Sequence, residues 1–339
     1  MIISCYNEAS VIAGKIKNTL QLDYPEELLQ ILVMSDGSSD ETADRARGAG
    51  KSRIEVVEFG VRQGKTAVQN RAVERATGEI LVFSDANAMY EPDAVKNLVR
   101  DFSDPKVAGV CGEVQFQSDS HERSVGEEEE VYWGYEQFLK RNESQASSAI
   151  GANGAIYAIR QNQYELLPDE IISDLVEPLM QVVKGYRITY NPSAIAKEGI
   201  GINYLKEFHR KRRIILRSWH GMSYVSSLLN PLKSGIFSLQ LWSHKILRWL
   251  MPVGLIALFF SNLFLLDSGF VYQVIFGFQL FFYGLSIGGW IIHERFDSRG
   301  GKLFRLPFYF CLVNAAALSA LFSFIRGKNI ILWDPQRGK

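Results

Sequence analysis

The sequence predicts an α/β fold, a mostly parallel sheet covered by helices, continued by interfacial and membrane-spanning α-helices. Two observations predict it. Strand-like and helix-like segments alternate through the first part of the chain, the pattern of a parallel sheet packed on both faces. The last part holds three long runs without a charge, each near the length that crosses hydrocarbon.

Residues 2–4 are apolar and read as a buried strand, followed by a helix over 8–20. A chain that opens inside a strand is expected to continue upstream, where a membrane segment could stand. Residues 31–34 form the next strand, ending at Ser35-Asp36-Gly37-Ser38-Ser39-Asp40. A helix over 42–49, a strand over 54–59 and a helix over 65–76, closed by Gly78, come next. Residues 80–83 are a short apolar strand ending at Ser84-Asp85-Ala86-Asn87. Open sheets of this kind bind ligands outside the carboxyl ends of their strands, so these polar residues are candidates for chemistry.

A helix is expected over 127–148, its four opening glutamates suiting a helix N-terminus. Residues 151–160 are a small-residue loop leading into a strand, and Ser173-Asp174 is a third polar group before a helix-like run. Residues 204–219 read as a basic helix carrying Arg210, Lys211, Arg212, Arg213 and Arg217.

Residues 249–266, 270–292 and 306–325 carry no charged side chain and read as spans. Asn262, Gln273, Gln279 and Asn314 within them could join helices or line a cavity. Residues 222–244 are apolar but broken by Asn230-Pro231 and Lys233, which suits an interfacial helix pair. Basic residues before the first span, and Arg295, Arg299, Lys302 and Arg305 after the second, put the front domain on the cytoplasmic side. Three spans would leave the tail, with Arg326, Lys328, Arg337 and Lys339, outside. Either the third segment is re-entrant or the tail breaks the rule.

A net charge of zero gives no whole-chain argument for nucleic acid. The mean hydropathy of −0.03 averages a polar front with an apolar back. Cys5, Cys111 and Cys311 make neither a disulfide framework nor a metal-ligand spacing.

Asp36 lies at a strand end, where a carboxylate can accept hydrogen bonds from a base or ribose; a helix cap by Ser39 or Asp40 is the alternative. Asp85 and Asn87, two residues apart, can converge on one hard cation, and Mg²⁺ or Mn²⁺ there would neutralise a departing diphosphate. Lys65 could meet the same phosphates. Asp174 could be a general base toward an acceptor hydroxyl. The basic cluster suits either diphosphate or anionic lipid. Cys5-Tyr6-Asn7-Glu8 follows the first strand in place of a G-x-G-x-x-G fingerprint.

Taken in order, Ile2-Ile3-Ser4-Cys5-Tyr6-Asn7-Glu8, Ser35-Asp36-Gly37-Ser38-Ser39-Asp40, Gly64-Lys65, Thr77-Gly78-Glu79-Ile80, Asp85-Ala86-Asn87, Gly151-Ala152-Asn153-Gly154-Ala155 and Ser173-Asp174 resemble the membrane-bound family 2 glycosyltransferases. That branch includes hyaluronan, chitin, cellulose and poly-N-acetylglucosamine synthases. The resemblance implies a GT-A fold, a nucleotide-sugar donor (commonly UDP-linked), a divalent metal and inversion by direct displacement. It implies that Asp36 contacts uracil and that Lys65, Asp85 and Arg213 hold the donor. Asp85 and Asn87 take the metal positions, Asp174 is the catalytic base, and Gly154 and Ala155 flank the acceptor. Asn87 removes one charge from the family's D-x-D pair. The Q-x-x-R-W motif is reduced to Arg210-Lys211-Arg212-Arg213-Ile214, which weakens the case for polymer synthesis.

The expected division is a catalytic domain over 1–200, basic and amphipathic interfacial helices over 201–245, about three membrane segments over 246–326 and a tail over 327–339. The expected reaction moves a sugar to a hydroxyl of a growing polysaccharide or glycolipid. The alternatives are single transfer to a lipid carrier such as polyprenyl phosphate, or an inactive scaffold in a polysaccharide export complex. The expected partners are the donor, a glycan or lipid-linked acceptor and membrane lipid, with further subunits allowed and no nucleic acid. The expected location is the plasma or inner membrane.

Overall fold

The computed structural model describes residues 1–117, 126–199, 204–292 and 301–332, with backbone alone for 117, 126–132 and 302. Arg295, Arg299, Arg337 and Lys339, and the side chains of the four glutamates at 127–130, lie outside the described residues.

The strands are β1 (Ile2–Cys5), β2 (Leu32–Ser35), β3 (Glu55–Glu58), β4 (Ile80–Asp85), β5 (Met89–Tyr90), β6 (Val107–Gln117), β7 (Tyr157–Arg160) and β8 (Arg187–Gly199). They form one sheet in the order β3-β2-β1-β4-β7-β6-β8-β5. Pairing is parallel among β3, β2, β1 and β4, and between β6 and β8. It is antiparallel where β7 joins β4 to β6 and where β5 edges β8. The sheet is therefore mixed. β6 and β8 are long strands on which the sequence reading had placed no element.

Alternation along the first strands explains why they are apolar throughout. Ile3, Val33 and Val82 face one core with Ile12, Ile16, Val95 and Leu98. Ile2, Leu32, Met34, Leu81 and Phe83 face the other, with Val68 and Ala72. Helices α1 (Ile12–Leu20), α2 (Thr42–Gly50), α3 (Lys65–Val73) and α4 (Ala94–Arg100) connect these strands, and both faces of the sheet are buried. Helix α1 starts at Ile12, later than the expected position 8. Asn7 adopts a left-handed φ of 51° and turns the chain first.

Beyond the sheet lie α5 (Gly126–Ala146), α6 (Ser173–Val183) and α7 (Tyr204–Tyr224). A third core joins α6 and α7 to the apolar helices through Leu175, Val176, Ile215, Leu216, Trp249, Ala317 and Ala320. Short helices α8 (Pro231–Ser234) and α9 (Ile236–Leu241) lead through a π-turn at Trp242–Ile246 into α10 (Leu247–Phe264). The continuous helix from Ile236 to Phe264 thus begins well before the expected span, taking in part of the segment read as interfacial. At the π-turn, buried His244 meets Glu143 at 2.5 Å and Glu136 at 3.1 Å. Burial opposes the charge of Glu136, but Lys245, His244 and Arg248 hold its carboxyl well below the usual range.

Helices α11 (Phe270–Ile292) and α12 (Lys302–Ile325) complete the chain. Among the described residues three helices, Ile236–Phe264, Phe270–Ile292 and Leu303–Ile325, are long and apolar enough to cross a membrane. Helices α10 and α11 form a hairpin, tied by Asn262 Nδ2 donating to Gln279 Oε1 at 3.0 Å and by Phe259 against Phe276. Helix α12 runs beside charged α7 along its length. Phe308 packs on Tyr204, Tyr309 Oη donates to Glu207 at 3.4 Å, Arg212 donates to Ser323 Oγ at 3.1 Å and Phe324 stacks on Trp219.

Candidate active site

Four chain segments meet at the carboxyl ends of the central strands. Asp85 ends β4, Lys65 opens α3, Asp174 sits in the first turn of α6, and residues 151–154 form the loop before β7. Lys65 Nζ stands 2.5 Å from Asp85 Oδ1. Asp174 Oδ2 accepts a hydrogen bond from Gly154 N at 3.0 Å. The loop is held in turn by Ala152 N donating to Asp174 O at 2.6 Å.

Gly154 is the point where these groups converge. A β-carbon there would fall on Lys65 Nζ, 2.9 Å from Asp174 Oδ2 and 3.5 Å from Asp85 Oδ2. Only a residue without a side chain lets the ammonium and the two carboxylates approach together. Burial opposes the charge of Lys65, yet Asp85 and then Asp174 hold its ammonium above the ordinary lysine value.

These residues line one cavity of about 1620 Å³. A pocket for one drug-sized ligand spans roughly 300–1,000 Å³, so this one is larger than a single small ligand requires. One end carries Lys65, Asp85, Asn87, Gly154, Asp174 and Arg213. The other runs between the apolar helices, past Leu255, Leu258, Ile275, Phe278, Phe282 and Phe310. Gln279 and Asn314 also line it. Gln279 is bonded to Asn262, and Asn314 donates to Phe310 O of its own helix at 2.9 Å.

Asp36 is set apart from this group. It is fully buried, and its oxygens accept from Gln63 N at 2.6 Å and Gly64 N at 3.0 Å. It fixes the turn that launches α3 and Lys65, and it is not among the cavity-lining residues. Gly64 makes that turn possible with a φ of 99°, under the returning C-terminal segment, where Ile331 would crowd any β-carbon. Ala155 is also buried, its N–H donating to Asn153 Oδ1 at 3.1 Å, and its carbonyl accepts from Tyr90 Oη.

The basic cluster divides into distinct tasks. Arg213 lines the cavity, as do Arg210 and Lys211, which pair with Glu207 at 2.7 and 3.5 Å. Arg217 is buried and bonds Thr66 Oγ1 at 3.0 Å and the carbonyls of Asp169, Glu170 and Ile171. It locks the loop before Asp174 onto α3, and burial lowers its guanidinium to about 10.

Two charged residues beside the site escaped the motif reading. Lys15 is fully buried, bonds Ala88 O beneath the Asp85-Ala86-Asn87 turn and lies 3.9 Å above the Tyr90 ring. Burial pulls it down to about 7. It shares the inward face of α1 with Ile12, Ile16 and Thr19, so a lysine at a core position was the signal. Glu198 lines the cavity near Asp85, and burial and then Asp85 push its carboxyl up to about 7. It follows Ala194 and Ala196 at every second position, on the buried face of β8.

Oxygen donors from Asp85, Asn87 and Glu198 suit a hard divalent cation. Among the described residues no three His, Cys, Asp or Glu side chains close around a metal. The oxygen donors there come from two strand ends and leave coordination positions open.

Residues 1–161 match the sequence profile described as "Glycosyl transferase family 2". The chain is 25% identical over 201 residues to poly-beta-1,6-N-acetyl-D-glucosamine synthase of Staphylococcus epidermidis, covering 57% of this chain and 48% of that one. The synthase of Staphylococcus aureus strain COL is 24% identical over the same shares. The chain thus spans about half the length of the curated relatives it matches. Among solved structures it is similar to the mannosyltransferase PcManGT from Pyrobaculum calidifontis, in complex with GDP-Man and Mn²⁺. That likeness has a TM-score of 0.67 at 20% identity, over 96% of this chain and 86% of that chain.

Proposed function

We propose that this chain, whose residues 1–161 match the family 2 glycosyltransferase profile, moves a sugar from a nucleotide-sugar to a hydroxyl of a lipid-linked acceptor, at the membrane surface and with inversion. One observation carries this reading: a single cavity runs from Lys65, Asp85 and Asp174 into the apolar space between α10, α11 and α12. A lipid chain fits apolar walls, whereas a bare glycan would need hydrogen-bonding groups along its path. Of the polar side chains that these helices bring to the cavity, Arg248, Gln279, Tyr283, Arg305, Tyr309 and Asn314, Gln279 and Asn314 already have protein partners, Arg248 pairs with Glu136 and Tyr309 bonds Glu207.

In this reading the Asp174 carboxylate takes the proton of the acceptor hydroxyl as the oxygen attacks the anomeric carbon. Gly154 N–H fixes one of its oxygens, leaving the other for the substrate. Lys65 and Arg213 bind the donor diphosphate, and Lys65 exchanges its Asp85 partner for phosphate oxygens. Asp85 and Asn87 would hold Mg²⁺ or Mn²⁺, which supplies charge neutralisation for the departing diphosphate. The neighbour solved with GDP-Man and Mn²⁺ supports a divalent ion and leaves the base open. Asp36 acts on the base side by setting the Gln63-Gly64 turn. Gly154 sets the floor on which the acceptor rests, with buried Ala155 behind it.

The catalytic domain, about residues 1–200, faces the cytoplasm, and 201–245 bind the membrane surface. Helices α10 and α11 cross as a hairpin. Helix α12 lies in the interface, because charged α7 runs beside it and cannot enter hydrocarbon. Both ends of α12 then stay on the catalytic side, with Arg326 and Lys328. On this reading the third apolar segment does not cross, and the basic residues after it stay on the catalytic side.

A growing polysaccharide is the second reading, favoured by the activity named for the staphylococcal relatives. Solvent partition tests the choice. The full chain in nanodiscs is given labelled nucleotide-sugars and a lipid extract. Label in the organic phase supports the lipid-linked acceptor; a ladder of water-soluble oligomers supports the polymer.

A further inference from the structure

We propose that Glu198 supplies the second carboxylate of the cation site that Asp85 and Asn87 begin. The proposal rests on reading Asp85 as a cation ligand. A D-x-N pair brings a single negative charge, and neutralising a diphosphate-bound divalent ion favours more. The sheet places that charge nearby from another strand. β5 pairs antiparallel with β8, Met89 opposite Lys197 and Tyr90 opposite Ala196. One step further along the same register sets Glu198 opposite Ala88, beside the Asp85-Ala86-Asn87 turn. Both strands end at the cavity, and Asp85, Asn87 and Glu198 all line it.

An ordinary ion-pair role for Glu198 does not account for its surroundings. Lys15 spends its ammonium on Ala88 O and the Tyr90 ring, and Arg210 pairs with Glu207. Lys65 pairs with Asp85, and Lys197 pairs with Glu91 on the opposite face. Among the described residues no hydrogen bond or ion pair is formed by the Glu198 carboxylate. Lys65, Arg210 and Lys15 share the neighbourhood of Glu198, and a cation between Glu198 and Asp85 replaces the charge that Lys65 withdraws when it turns to phosphate.

The test is Mn²⁺ binding to the full chain in detergent, read from the loss of the aqueous Mn²⁺ electron paramagnetic resonance signal. The parent chain is expected to bind, and Asp85→Asn to abolish binding. Glu198→Gln is expected to weaken it about tenfold. Adding Asn87→Asp to Glu198→Gln returns the lost charge from the other strand and restores affinity, which a misfolded variant would not show. If Glu198→Gln binds like the parent while Asp85→Asn does not, the inference about Glu198 fails alone. If Asp85→Asn also binds like the parent, or the parent does not bind, the cation reading of Asp85 fails with it.

Discussion

Lys65 Nζ lies 2.5 Å from Asp85 Oδ1, and the backbone of Gly154 passes beside both. The ammonium stands where a β-carbon on Gly154 would be. Gly154→Ala must therefore displace Lys65, crowd Asp174, or both. It is expected to lower kcat by about 10²-fold, the order of effect that follows a misplacement near 1 Å. The melting temperature should move little, since Gly154 needs no left-handed φ. Steady-state kinetics beside a melting curve checks this. Near-parental kcat would show that the convergence on Gly154 is not needed for transfer.

The bond from Asn262 to Gln279 ties α10 to α11 at 3.0 Å. Asn262→Leu is expected to destabilise the hairpin by roughly 0.6–1.7 kcal/mol, the measured span for such bonds in membranes. Sugar transfer should remain at the parental rate. A loss of transfer without a loss of stability would instead assign these amides to the substrate path.

Glu177 is buried under Glu165 N and Gln181 Nε2, and burial pushes its carboxyl up to about 8. The unfolded chain releases this proton near pH ~4.3, the folded chain near 8. Between those values the folded state binds more protons, so stability falls as pH rises. Glu177→Gln removes that slope. Its melting temperature is expected to exceed the parent's by a few degrees at pH 8.5 and to match it near pH 4. Parallel melting profiles for the two proteins would contradict the assignment.

Much of this arrangement was legible in the sequence, and the limits have physical causes. The parallel strands β1, β2 and β4 announce themselves because both faces are buried, which leaves apolar runs ending in Ser35-Asp36 and Ser84-Asp85. β6 opens on the apolar run at 107–111, a strand signal in its own right, whereas its second half and β8 carry polar residues such as Glu113, Gln115, Lys197 and Glu198 on half-exposed positions. Asp85, Lys65, Gly154 and Asp174 converge as strand-end and loop residues should. Asp36 was identifiable as a strand-end acid, but its capture by Gln63 and Gly64 depends on a turn formed 27 residues later. The apolar run in α12 satisfies the length for a span. The in-plane course proposed for it rests on partners in α7 that lie about a hundred residues away.

That course has its own test. In a Cys311→Ala background, Ser268→Cys probes the α10–α11 loop and Lys328→Cys probes the end of α12. A membrane-impermeant thiol reagent is expected to label Ser268→Cys in intact cells, and Lys328→Cys in inverted vesicles alone. Labelling of both from the same side would mean that α12 crosses.

Nucleotide release from the purified full chain in nanodiscs addresses the central claim most directly. It would be measured over a panel of UDP- and GDP-sugars with lipid acceptor, with Mn²⁺ or chelator, for the parent and for Asp174→Asn. The expected result is metal-dependent release from one donor, reduced about 10²–10⁴-fold in Asp174→Asn with donor binding retained. Release that survives Asp174→Asn at the parental rate would contradict the account, because Asp174 would then not be the base.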